Sequence, residues 1–113
     1  MTQTIIDLND ARIPANSEIL SGRDCGKTFR RRFELDKRDK SAEPIEVAIP
    51  DEVISMNTSF FLGLFGRSVR TLGPARFRLK YRFKCDPIHM ASVEEGIERA
   101  IKESDIFTDR ESA

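Results

Sequence analysis

Residues 53–73, VISMNTSFFLGLFGRSVRTLG, hold the densest apolar pattern in the chain. They read as the end of a strand, a polar turn and a helix. Phe61, Leu64, Phe65, Val69 and Leu72 recur at helical spacing. Asn57, Thr58 and Ser59 precede them, and the side-chain oxygen of each can accept the unpaired amides of a first helical turn. Gly73-Pro74 is a stop signal. The segment thus presents hydroxyls at the positive end of a helix that a row of Phe and Leu packs down, and the other elements are arranged around it.

Upstream, residues 4–8 are short and β-branched and run into the turn-forming Asn9-Asp10, which predicts a first strand. Residues 12–20 show no clear period and leave open a loop or a brief strand around 18–20. Residues 21–28 form a turn into a basic segment, with Phe29 and Phe33 four apart, and a short helix over 24–36 is expected. A charged loop follows over 36–44. Ile45, Val47 and Ile49 then alternate with polar or small residues as on a strand with one apolar face.

Downstream, residues 76–85 alternate most cleanly. Phe77, Leu79, Tyr81, Phe83 and Cys85 share one face, while Arg76, Arg78, Lys80, Arg82 and Lys84 share the other. Five cations in a row cannot be desolvated without partners, so this strand is expected to be half buried, in a sheet with one open face. Ser92 and Glu95 read as a capping box that would start a last helix with an inward stripe of Val93, Ile97, Ala100 and Ile101, and an acidic tail from 104 is expected to be loose. Strands alternating with helices predict a single α/β domain over 1–113, with its core over about 4–103 and a two-layer architecture whose helices lie mainly on one face of the sheet.

The 113 residues suffice for one self-supporting core. Cys25 and Cys85 stand sixty positions apart with no CxxC or Cys/His cluster, which fits incidental thiols in a reduced compartment. The opening residues carry acids where a signal peptide has a basic region, and no apolar run is long enough to span a membrane, so a cytoplasmic location is expected. Nineteen basic and nineteen acidic residues cancel, but unevenly: residues 67–84 carry seven cations and no anion, and residues 85–113 carry eight acids against three bases. Such polarity steers partners without setting the fold.

Gly22-Arg23-Asp24-Cys25-Gly26-Lys27-Thr28 ends like a phosphate-binding loop, but three residues separate its glycines where that motif requires four. A helix-start turn is the better reading, and a nucleotide-binding enzyme using Lys27 and Thr28 is a distant third hypothesis. The basic face Arg76, Arg78, Lys80, Arg82 and Lys84 could meet nucleic-acid phosphates. The aromatics point to the opposite face, however, and cannot stack bases beside those cations. A solvated sheet face, partly neutralised by Glu46 or Asp7 on neighbouring strands, accounts for it better. His89, the only histidine, reads as a surface loop residue, and Glu94, Glu95 and Glu98 as acids near a helix start. With no nucleophile, acid-base or metal-ligand set to assemble, no enzymatic activity, metal or cofactor is expected.

The turn and helix at 54–66, following the strand 45–49, resemble the Asp-Ser-Ser-Gly-Leu-Gly turn and helix of STAS domains, the anti-sigma factor antagonists. Ser21-Gly22, Phe29-Arg30 and Ser59-Phe60 resemble more closely the STAS-like domain of unknown function. That resemblance covers roughly residues 20–85 and implies a mixed sheet with helices packed on one face. It also implies a regulatory protein that binds a GHKL-type ATPase, the serine kinase that restrains a sigma factor, and is released by phosphorylation of the second hydroxyl of the turn. By position that hydroxyl is Ser59, with Thr58 beside it. Asn57 stands where the family has Asp, and Phe60 where it has Gly. On this reading Thr58 and Ser59 are regulated positions, Asn57, Phe60 and Arg67 are partner contacts, and the chain is a monomer or weak dimer. The alternative is a nucleic-acid-binding module using the basic face 76–84.

Overall fold

The structure is a computed structural model that describes the backbone of residues 4–12 and 17–112, and the side chains of 5–12 and 17–102. Strand β1 (Thr4–Asp7) leads through a 3-10 turn (Leu8–Ala11) to β2 (Ile19–Leu20), α1 (Arg23–Arg32) and the single-turn α2 (Leu35–Arg38). Then come β3 (Ile45–Ala48), β4 (Ser55–Met56), α3 (Thr58–Leu72), α4 (Pro74–Lys80), β5 (Tyr81–Lys84) and α5 (Pro87–Ser112). The acidic end expected as a loose tail continues the helical backbone of α5.

The main sheet has the order β1-β3-β5, and a small second sheet pairs β2 with β4. Every pairing among the described residues is parallel, where a mixed sheet was expected. Parallel neighbours need crossover connections, and the two crossovers carry α1 and α3. The α/β two-layer class read from the sequence is the observed one.

Register explains the two faces. Ile6, Val47 and Phe83 stand side by side, as do Ile45 and Tyr81, and this face packs under the helices. The other face aligns Ile5 with Glu46 and Arg82, and Asp7 with Ala48 and Lys84. Glu46 thus stands opposite Arg82 on the open face, while Ala48 separates Asp7 from Lys84. The core is aromatic at its centre: Phe65 has its ring centroid 5.5 Å from those of Phe77 and Phe83 and 5.3 Å from that of Tyr81. Residues 60–66 of α3 are all buried, so this helix is sheathed by the rest of the fold.

The segment 74–80 corrects the sequence reading. It is a helix, and only 81–84 form a strand. Leu79 shows the reason, because it is 69% exposed where a strand would have buried it beside Phe77 and Tyr81. Phe77 and Tyr81 lie four apart and satisfy a helical turn as well as an alternating strand. Pro74, read as a stop, also occupies the first helical position, where its fixed φ and missing N–H are tolerated. Gly73, at φ +84°, makes the corner between α3 and α4 that a residue with a Cβ would strain to make.

Candidate functional site

The turn before α3 is held from two sides. The Asn57 amide donates to the Leu20 carbonyl at 2.7 Å, continuing the β2–β4 ladder into the turn. The Asn57 side chain accepts from the Ser59 amide at 2.8 Å, making it the N-cap. Thr58 is half-buried and Ser59 exposed, so the Ser59 hydroxyl stands on the surface of the first helical turn. Phe60, expected as a partner contact, is fully buried in the core and offers no surface. Arg67 is exposed, but eight residues after Ser59 it lies about 12 Å further along the helix. The structure therefore keeps Asn57, Thr58 and Ser59 together and places Arg67 in a different neighbourhood.

That neighbourhood is the crossing of α1 and α3. A Cβ on Gly26 would overlap the Phe60 carbonyl, and one on Gly63 would overlap the Arg23 carbonyl. Backbone lies directly on backbone there. Gly26 sits within α1 and serves this approach, so Gly26-Lys27-Thr28 is a helical segment and not a phosphate loop. The Thr28 hydroxyl is occupied by the Asp24 carbonyl, to which it donates at 3.0 Å. Arg23, Lys27, Arg31, Arg67 and Arg70 line a cleft of about 420 Å³ beside the crossing, with Arg30 and Asp36.

Beneath the crossing lies a buried polar network that the sequence reading missed. Arg30, 8% exposed, donates through Nη1 to the Leu64 carbonyl and to Ser68 Oγ, both at 2.9 Å. Its Nη2 donates to Asp36 at 2.7 Å and to Asp39 at 3.0 Å. Asp39 also accepts from the Ser68 hydroxyl at 2.8 Å and from the Tyr81 hydroxyl at 2.5 Å. Burial, and then the bond to the Asp39 carboxylate, push the Tyr81 phenol well above its ordinary range. The Arg30 guanidinium beside Asp36 holds that carboxyl below the usual value. One signal for this network stood in the sequence: Ser68, seven residues after Phe61, falls on the inward stripe of α3 and needs a buried partner.

The five cations read as one strand face are dispersed. Arg76, Arg78 and Lys80 belong to α4, and only Arg82 and Lys84 lie on the open sheet face. Arg78 is paired with Glu94 at 2.6 Å, which gives that acid a partner on a neighbouring helix. Lys80 donates to the Ser41 carbonyl at 2.6 Å and the Glu43 carbonyl at 2.8 Å. The continuous basic strand on which the nucleic-acid alternative rested does not exist.

His89 is buried, against the expectation of a surface loop. Its Nε2–H donates to the Val53 carbonyl at 2.8 Å, and its Nδ1 has no partner among the described residues. Cys25 and Cys85 are both free and half-buried, and burial pushes both thiols up, away from the thiolate form that reacts. Among the described residues no group of three or more His, Cys, Asp or Glu is placed to hold a metal, and no helix is long and apolar enough to cross a membrane. In comparisons with protein-family models, with curated proteins and with solved structures, nothing matched the chain.

Proposed function

We propose that this chain is a non-enzymatic regulatory module of the STAS-like kind. It docks on a protein partner through the turn at 57–59 and the exposed positions of α3, and phosphorylation of Ser59 switches the contact. The observation that carries this reading is the placement of Ser59: an exposed hydroxyl on the first turn of a helix that is otherwise buried along most of its length. A phosphate there would add nearly two negative charges to a surface fixed by the Asn57 cap and the β2–β4 ladder. The helix N-terminus would tolerate that charge, so the change would fall on whatever docks at the turn and leave the fold intact.

The resemblance to STAS antagonists supplies the partner class, a GHKL-type ATPase that acts as the serine kinase, and with it a cytoplasmic setting. Asn57 in place of the family's Asp keeps the capping function, as its bond to the Ser59 amide attests. Phe60 in place of Gly serves the core.

Affinity capture from native cells, with mass spectrometry of the bound chains and of the Ser59 peptide, tests the reading. Ser59→Asp is expected to weaken partner binding at least tenfold and Ser59→Ala by less than twofold. Equal affinity of the two variants would remove the switch.

A further inference from the structure

We propose that the cleft between α1 and α3 binds a compact polyphosphate anion, a small molecule carrying two or more adjoining phosphate groups. This site is separate from the turn at Ser59 and does not depend on its role.

The cleft is built by the helix crossing. On α1, Arg23, Lys27 and Arg31 follow one another at intervals of four residues and so share a face; on α3, Arg67 and Arg70 do so at an interval of three. Gly26 and Gly63 let the two backbones touch, so the cation-bearing faces flank one hollow closer together than side-chain packing at the usual 8–10 Å interaxial distance would allow. Arg30 at the floor of the cleft is matched by Asp36 and Asp39, and among the described residues the hollow above it is framed by five further cations, Arg23, Lys27, Arg31, Arg67 and Arg70.

The Asp36 carboxylate is already engaged. Asp36 Oδ1 takes two bonds from Arg30, at 3.1 and 2.7 Å, and only the long 3.9 Å approach to Arg67 remains. Lys27, Arg31 and Arg70 have no carboxylate within 4.0 Å among the described residues. Elsewhere in the fold, Arg78 does meet a carboxylate, that of Glu94 at 2.6 Å. Like charges gathered around one concavity repel each other and concentrate an attractive field for an anion.

The residue types narrow the ligand. Four of the five cations framing the hollow are arginines, whose planar forks match phosphate oxygens two at a time. Among the described residues no aromatic side chain lines the cleft, so they offer no platform on which a base could stack, and the ligand is held by its phosphates. A volume of about 420 Å³ suits a small ligand. Single-stranded nucleic acid is the competing occupant, but without a stacking surface it is the less favoured one.

Calorimetric titration of the full chain with tripolyphosphate, a nucleoside triphosphate and a 20-nucleotide single strand decides the matter. Tripolyphosphate and the triphosphate are expected to bind one to one with affinities within about threefold. The Arg31→Gln/Arg70→Gln double variant, altering two side chains on the surface of the cleft, is expected to lose at least tenfold for both. Arg76→Gln, outside the cleft, and Ser59→Ala are expected to change nothing. Absence of tripolyphosphate binding overturns the proposal, whether nothing binds or only the strand or only the nucleotide does. Unchanged affinity in a folded double variant overturns it as well.

Discussion

Arg30 and Arg31 are neighbours in the chain and opposites in the fold. Arg30 points beneath the α1–α3 crossing, where two carboxylates, a hydroxyl and a carbonyl take its donors. Arg31, one residue and about 100° further around the helix, is exposed on the cleft and meets no carboxylate among the described residues. A cation on a helix is therefore not a functional signal until its surroundings are known. The buried one holds α1 to α3, while the exposed one is left with unused donors.

The largest effect should come from breaking the buried half of this pair. Arg30→Leu strands Asp39 in a buried site with only the Ser68 and Tyr81 hydroxyls, and a loss of about 3–5 kcal/mol in denaturant unfolding is expected. A loss below about 1 kcal/mol would mean that the network contributes little. Gly63→Ala tests the crossing that separates the two environments. Its Cβ meets backbone, which cannot rotate away, so a cost of about 2–3 kcal/mol is expected, together with weaker anion binding because the cation rows move apart.

Tyr81 gives the network a spectroscopic handle, since it is the only tyrosine in the chain. Its folded-state pKa is raised, so above about pH 10 the unfolded chain releases the phenol proton first. This contribution is complete below pH 10 and is lost as pH rises toward the folded value. Absorbance at 295 nm should show no ionisation of the native protein at pH 10, and the phenolate should appear together with unfolding. Half-ionisation at pH 10 in the folded state would place Tyr81 outside the network.

The same contrast explains what could be read in advance. The start and stop of α3, the apolar face of β3 and the stripe of α5 all follow from local period and capping chemistry. The helix at 74–80 did not, because Phe77 and Tyr81 obey both periods and only the burial of neighbouring elements decides between them. The Arg30 network joins positions 6 to 42 residues apart, and no local pattern brings Asp39 to Ser68 and Tyr81. Of the candidate site, a polar helix start at 57–59 was legible, but three residues there could equally cap, and only the structure selects Asn57 and leaves Ser59 exposed. The burial of Phe60 was not legible, since it stands beside the predicted inward stripe and is covered only because α3 is sheathed on several sides. The cleft cations were visible as a basic segment, but their convergence depends on Gly26 meeting Gly63, 37 positions away.

Arg31→Gln, at the exposed end of the comparison, should move stability by no more than about 0.5 kcal/mol. The most direct test of the division between structural and binding cations is a pair of measurements, thermal unfolding and tripolyphosphate titration, on Arg30→Gln and Arg31→Gln side by side. The expected result is a crossed pattern. Arg30→Gln melts well below the native protein yet binds the anion while folded, with a smaller loss than Arg31→Gln. Arg31→Gln melts with the native protein and binds at least threefold more weakly. Native-like binding by Arg31→Gln, or an equal loss of stability in both variants, would contradict the account.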